Sequence, residues 1–376
     1  MRNKEQKDYP MFSVTNNRGF IPQSEQFEDR EMKGEDIKAY KVIHHNDFAY
    51  NPARINVGSI AKYNGDEPCM ISSLYVCFRA NNGIDEEWLM HLLHTPKIQY
   101  YYQLNGEGGV RIYLFYPNFA RIKTSVPTIG EQKKIAKALS LIDERIATQN
   151  KIIEDLKKLK SAIIDEVICL PSEKRPHIRL CNFCDDWKVV RLSEICNRIT
   201  EKNCGLKCNL VLTIAAQYGL VSQLDFFNKN VASENLSSYF LIRNGDFAYN
   251  KSYSGDHPWG AIKKLDYYEA GVLSPLYFCF RPNPDNVNSD FLAFYFESKK
   301  WYRGVSEIAG EGARNHGLLN ISVIDFFDTL HRIPSLKEQS HIAVILHSYQ
   351  NKINNEKRLL LQYQNQRKYL LSTMFI

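Results

Sequence analysis

An aromatic residue followed by an amide occurs twice in equivalent surroundings, as Tyr50-Asn51-Pro52-Ala53 and Tyr249-Asn250-Lys251-Ser252. The first could open the Asn-Pro-Pro-aromatic motif of amino-methyltransferases, but its second proline and its aromatic are missing. The later copy has no proline at all, and no glycine-rich strand-to-helix turn that could cradle a methyl donor is evident. Gly106-Glu107-Gly108-Gly109 and Gly310-Glu311-Gly312-Ala313 form another repeated pair. Neither continues into Gly-Lys-Ser/Thr, so neither is a P-loop. Each is followed closely by an arginine, Arg111 or Arg314. A glycine turn lets backbone approach another surface, and an arginine there can meet a phosphate or a guanine edge. The alternative is an ordinary tight turn with a solvated arginine.

Cys181-x2-Cys184 and Cys204-x3-Cys208 are loosely spaced like a zinc site. The first half of the chain has no counterpart to them, which argues against a structural metal. The histidines show no His-Glu-x-x-His spacing, and no nuclease-like cluster of carboxylates with a lysine stands out. Richer chemistry follows the repeated Asp-Phe-Ala-Tyr-Asn, in Pro52–Ser59 and in Lys251–Gly260. Both segments mix Arg or Lys with Asn, Ser, aromatics and glycine, the side chains that pair with base edges, bind phosphate or stack on bases. They diverge where their flanks agree, as two readers of different half-sites would. Unconstrained surface loops are the competing explanation. The candidate DNA-binding residues are Asn17, Arg18, Tyr50, Asn51, Arg54, Asn56 and Arg111 in the first half. In the second half they are Tyr249, Asn250, Lys251, Ser252, Tyr253 and Arg314.

The elements that must position these residues are duplicated too. Asp47-Phe48-Ala49-Tyr50-Asn51 recurs as Asp246-Phe247-Ala248-Tyr249-Asn250, and Leu74-Tyr75-Val76-Cys77-Phe78-Arg79 as Leu276-Tyr277-Phe278-Cys279-Phe280-Arg281. Cys77 and Cys279 fall at equivalent strand positions and read as buried apolar residues. A period near 200 residues is too long for a solenoid and means two similar domains. Short β-branched and aromatic stretches bounded by Gly, Asn and Pro read as strands. Trp88–Tyr102 has helical spacing, so each globule is mixed α and β.

The strongest periodicity is a heptad seam. Ile135, Leu139, Ile142, Ile146, Gln149, Ile153, Leu156, Lys160, Ile163 and Val167 alternate by four and three. A second seam follows each of these by 207 residues: Ile342, Leu346, Tyr349, Ile353, Glu356, Leu360, Tyr363, Arg367, Leu370 and Met374. Capping boxes open both helices, Thr128 with Glu131 and Ser335 with Glu338. A single seam cannot bury itself, so each helix is expected to take the other as partner, antiparallel, as rods roughly 55 Å long. The alternative is that each packs on its own globule.

The expected class is therefore α+β: two similar mixed α/β domains separated by two long helices that form an antiparallel coiled coil. The boundaries are 1–127 for the first domain, 128–170 for the central helix and 171–176 for a connector. The second domain takes 177–334 and the C-terminal helix 335–376.

The net charge of +6 is compatible with nucleic acid without demanding it. Residues 131–168 carry eight Lys/Arg against seven Asp/Glu, so the helix is a spacer with a solvated face, not a basic arm. The charged N-terminus is no signal peptide and no apolar run is long enough to span a membrane. Nine cysteines, an odd number, with no export signal point to a reducing cytoplasm.

As a set these motifs resemble the specificity subunit of Type I restriction–modification systems. The resemblance rests on the duplicated Pro-x3-Glu-Gln-x2-Ile-Ala-x2-Leu helix starts, Pro127–Leu139 and Pro334–Leu346, and on the Asp-Phe-Ala-Tyr-Asn elements. Ser13-Val14-Thr15-Asn16-Asn17-Arg18-Gly19 and Asp186-Trp187-Lys188-Val189-Val190-Arg191-Leu192 also fit. It covers essentially the whole chain. It implies that each globule is a target recognition domain reading one half of a bipartite double-stranded DNA sequence, with the helices setting the unread gap. It also implies no catalysis and no cofactor in this chain. Two modification subunits would use S-adenosylmethionine, and restriction subunits would use ATP and Mg²⁺.

One departure stands out. The roughly 24 residues from Trp187 to Val211 have no equivalent ahead of Phe12, so the first domain is short at its N-terminus. A truncated or silent specificity allele is the nearest alternative. A stand-alone methyltransferase or nuclease, or a scaffold that does not bind DNA, are more distant ones.

Overall fold

The computed structural model of the chain describes residues 2–4, 6–26, 37–108, 112–179, 183–215, 219–228, 235–252, 257–310 and 317–375. It divides into two compact units, residues 1–151 with 357–376, and residues 152–356.

In the first unit the short apolar stretches form β1 (Phe12–Thr15), β2 (Gly19–Pro22), β3 (Lys41–Ile43), β4 (Phe48–Tyr50), β5 (Ile60–Lys62), β6 (Cys69–Ile71) and β7 (Val76–Phe78). β1 and β2 make an antiparallel hairpin, β3 pairs with β6, and β4 lies between β5 and β7. The two repeated sequence elements are therefore neighbours, with Phe48 opposite Phe78 and Ala49 opposite Cys77. Phe48 stacks on Phe78, ring centroids 5.1 Å apart. Buried Asp47 at the head of β4 clasps Arg79 beyond the end of β7 at 2.6 Å and accepts the His44 backbone N–H.

The helical spacing of Trp88–Tyr102 resolves into two helices, Glu86–Leu93 and Pro96–Asn105. Thr95 and Pro96 cause the break. The proline lacks an N–H to continue the first helix, while the Thr95 hydroxyl accepts the Ile98 N–H and starts the second.

The second unit contains β8 (Lys188–Arg191), β9 (Cys196–Arg198), β10 (Leu212–Ala215), β11 (Gly219–Ser222), β12 (Phe240–Arg243), β13 (Phe247–Asn250), β14 (Ala261–Lys264), β15 (Ala270–Leu273), β16 (Phe278–Pro282) and β17 (Leu330–Ile333). β10–β11, β12–β15 and β14–β13–β16 repeat the first unit's pairings. Asp246 meets Arg281 as Asp47 meets Arg79. The additions are β9, alongside β16, and β8, paired with β17. They account for a difference between the copies. Cys279 is buried on β16, whereas Cys77 on β7 is only half-buried, since among the described residues no strand pairs with the far side of β7.

The heptad seams form two helices, Ile129–Val167 and Leu336–Thr373, and every seam position is buried or half-buried. In the first unit Arg367 pairs with Asp143, and the Arg145 guanidinium lies over the Tyr363 ring at 6.0 Å. Partner numbers fall on one helix as they rise on the other, so the packing is antiparallel. Leu139 shares a core with Leu371 and Phe375. In the second unit Lys160 donates to Gln350 at 2.8 Å and to Glu297 at 2.7 Å, while Ile164 and Val167 share a core with Ile342 and Leu346. Lys160 and Arg367 are 207 residues apart, as are Asp143 and Gln350. The seam's polar interruptions thus make the same cross-helix contact once in each unit.

The shared Glu-Gln of the helix starts has a role that periodicity does not reveal. Gln132 is buried, donates to the carbonyls of Gly83 and Pro127 and accepts the Asp85 N–H. Gln339 does the same with Pro334 and Asn288. Each glutamine ties a long helix to the N-cap of a globule helix. The glutamates diverge. Glu131 completes its capping box with Thr128, but Glu338 turns away from Ser335 to accept from Arg179 and Trp187. The reciprocal capping expected at Ser335 is thereby half-made, because a buried charge-assisted pair outcompetes it.

His331 sits in the core of the second unit. Thr329 Oγ1 donates its hydrogen to the Phe326 carbonyl, so it accepts from His331 Nε2 at 2.8 Å. Tyr295 Oη then donates to Nδ1 at 3.0 Å. A neutral ring satisfies both contacts, and burial pushes its pKa down to about 4. The unfolded chain takes up this proton below about pH 6.5 and the folded chain only below about 4. Stability is therefore fully present above pH 6.5 and should fall by about 3 kcal/mol as pH drops to 4. Urea midpoints of the second unit measured across this range should show that slope, and His331→Gln should remove it. An unchanged slope in the variant would assign it to other groups.

Candidate nucleic-acid interface

Three loops converge in the first unit. In the first, the β1–β2 turn closes through Thr15, whose hydroxyl accepts the Arg18 N–H and donates to Gly19 O, both at 3.1 Å. Gly19 has φ +64°, a left-handed conformation that favours glycine. The loop after β4 folds against this hairpin, since Ser59 Oγ donates to Val14 O at 2.9 Å. That loop turns back at Gly58, φ +93°, where an added Cβ would lie 3.6 Å from Asn16 O. The third loop contains Gly106-Glu107-Gly108. It is held by the Glu107–Tyr113 bridge and by the Leu114 N–H donating to Pro52 O at 3.0 Å.

The second unit repeats that last bond, with the Leu319 N–H donating to Lys251 O at 2.9 Å. Ser252 and Leu318 form a bridge beside it. Gly219 turns the β10–β11 hairpin at φ +88°. The backbone bond that ties the second loop to the third is thus repeated in both units, while the side chains beside it differ in sequence.

The candidate residues divide by exposure. Asn17 and Arg18 are exposed on the hairpin turn, with Arg18 paired to Glu25 at 2.7 Å. Arg54 is exposed on the second loop, and its guanidinium has no ion pair or hydrogen bond among the described residues. Asn56 is half-buried beside it. Ser252 is exposed, and the half-buried Lys251 holds its ammonium 4.7 Å from the Phe278 ring centroid, a cation–π contact.

Tyr50 and Tyr249 do not belong to this surface. Both are fully buried, and burial pushes both phenols up in pKa. Strand alternation turns them inward: Tyr50 lies against Phe119, and Tyr249 stacks on Phe326 at 4.6 Å. Asn51 and Asn250 are half-buried, and their amide oxygens accept the N–H of Ala53 and Ser252 at 3.0 Å, which shapes each loop. Arg111, Tyr253 and Arg314 lie outside the described residues, as does Cys181 of the zinc-like spacing. Among the described residues no group of His, Cys, Asp and Glu is placed to hold a metal. Ser59, the Asp47–Arg79 clasp and the Pro52–Leu114 bond were missed by sequence reasoning. The repeated Asp and Arg were the only signal of the clasp.

Comparison with known proteins follows the same lines. Residues 2–158 match the family described as Type I restriction modification DNA specificity domain. The Type I restriction enzyme MjaVIII specificity subunit of Methanocaldococcus jannaschii is 23% identical over 353 residues, covering 89% of this chain and 79% of that protein. A putative specificity subunit of the MjaX system from the same organism is 27% identical over 51% of this chain and 47% of its own length. Among solved structures, the Type I system S subunit of M. genitalium is similar in fold, with TM-score 0.54 at 14% identity over all of this chain and 92% of that one. A chain from a structural study of complex assembly in the type I R-M system has TM-score 0.57, covering 96% of this chain and 90% of that one at 14% identity.

Proposed function

This chain belongs with the Type I restriction–modification specificity subunits, and from that footing we propose how it reads DNA. Each unit presents its three-loop cluster to one half of a bipartite double-stranded target. The long helices set the length of the gap left unread. The observation that carries this is the repeated strand pairing with the matching Leu114–Pro52 and Leu319–Lys251 bonds, since a constant frame bears segments of different sequence where base edges would be met. Arg54 in the first unit and Lys251 with Ser252 in the second are the residues to which contact is assigned.

In this proposal the chain performs no chemistry. Two modification subunits bind S-adenosylmethionine and methylate adenine, and restriction subunits use ATP and Mg²⁺. The complex works in the cytoplasm. No helix among the described residues is long and apolar enough to cross a membrane.

Mapping adenine methylation genome-wide with and without the chain tests the proposal directly, because the methylated motif should appear and vanish with it. Arg54→Ala is expected to relax recognition of one half-site only. If Arg54 meets a phosphate, the slope of log affinity against log salt should shrink by about one unit. Unchanged affinity and slope in a fluorescence-anisotropy titration would remove Arg54 from the interface.

A further inference from the structure

The bond from Leu114 N–H to Pro52 O and the bond from Leu319 N–H to Lys251 O mark equivalent positions, because Pro52 and Lys251 each follow the repeated Asp-Phe-Ala-Tyr-Asn. Both leucines are buried. Extended backbone sends successive side chains to opposite faces, and the residues on either side of each leucine point outward. Tyr113 is 37% exposed and Phe115 is 49% exposed. At the same two places in the second unit, Leu318 is 40% exposed and Asn320 is exposed as well.

The backbone that carries these side chains is already fixed. Tyr113 and Glu107 exchange two backbone bonds, each at 2.8 Å, and Asn320 O accepts the Gly310 N–H at 3.1 Å. Leu318 forms a bridge with Ser252. The Tyr113 and Phe115 rings lie within 12° of parallel, centroids 6.1 Å apart, and so hold each other in place. The fold makes no use of their polar ends. Neither the Tyr113 hydroxyl nor the Asn320 carboxamide has a hydrogen-bond partner among the described residues. Positions that do the same work in both copies keep their residues, as the Asp47–Arg79 and Asp246–Arg281 clasps do. Here two aromatic rings in one copy stand where leucine and asparagine stand in the other, on a backbone held by the same bond. What these side chains meet therefore differs between the units, as two unlike half-sites differ. In the first unit that bond also joins the aromatic pair to the loop bearing Arg54, whose guanidinium is unengaged among the described residues.

We propose that these outward pairs are specificity determinants of the two half-sites, an inference that rests on the DNA-reading function proposed above. Phe115 and Leu318 pack on thymine methyl groups in the major groove, the one apolar feature that a base pair shows there. Tyr113, stacked beside Phe115, extends the same apolar surface. Asn320 pairs with adenine: its amide nitrogen donates to N7 and its oxygen accepts from the N6 amine, a two-bond match that no other base offers. Because the backbone is held before DNA arrives, little ordering is left to oppose binding.

The test maps adenine methylation in cells that supply the modification subunits together with the full chain or a variant. Asn320→Ala should relax one adenine position of one half-site, lowering discrimination there about tenfold to a hundredfold. Asn320→Asp should move the preference at that position from adenine to cytosine, whose N4 amine a carboxylate accepts. Phe115→Ala should relax one thymine position of the other half-site. Both residues are exposed, and circular dichroism of the purified variants should match the parent chain. Variants that still direct methylation to the unaltered motif overturn the inference and leave the DNA-reading function standing. Relaxation at a different base, or of the same half-site by both residues, overturns it too. So does methylation lost equally at every site with circular dichroism unchanged, which would assign these residues to assembly. A parent chain that directs methylation to no bipartite motif overturns the function on which the inference rests.

Discussion

Adding one heptad to each long helix, after Lys151 and after Glu356, should leave both half-sites unchanged and widen the gap between them by about three base pairs. Seven residues lengthen a helix by about 10 Å, and duplex DNA rises about 3.4 Å per base pair. Binding to the original target should fall towards the non-specific level, a loss of about a thousandfold. Both helices must be lengthened, because Arg367 with Asp143 and Lys160 with Gln350 fix an antiparallel register. An insertion in one helix alone slips every seam residue beyond it by two turns and strands those polar contacts. Methylation mapping of the doubly lengthened chain reads the outcome. A changed half-site with an unchanged gap would remove the helices from the role of spacer.

Leu346→Asp should unfold the second unit. Leu346 is fully buried, in one core with Ile342 and Val167. Removing it forfeits about 3 kcal/mol or more of apolar packing. The carboxylate that replaces it has no partner there, and several further kcal/mol are lost to its burial. The total matches the whole stability of an ordinary domain. Val344→Asp, two residues earlier and 69% exposed, should change stability by about 0.5 kcal/mol or less. Urea unfolding of the two variants checks the pair. Equal stability would mean that the seam is not the buried face.

Much of the architecture was legible because hydrophobic periodicity and repeated motifs are local signals. The heptads named both long helices to within a few residues of their ends, Val167 and Thr373. The loop after β4 was legible for the same reason, as a stretch of glycine, proline and asparagine between strands. Side-chain direction was not. The motif pairs an aromatic with an amide, and in a strand these two face opposite ways. Tyr50 and Tyr249 therefore went into the core. Chemistry-bearing residue types alone could not tell reader from core, since Tyr suits both.

By itself the sequence determined the duplication and the two long helices with their matched polar interruptions. These follow from residue order, which the chain carries without folding. Only the tertiary structure decided which partners the repeated polar residues take. Glu131 and Glu338 have the same neighbours in sequence, yet one caps its helix in solvent and the other is buried under Arg179 and Trp187. The difference comes from whether a distant segment reaches the carboxylate, because a charge-assisted pair depends on groups brought together in space.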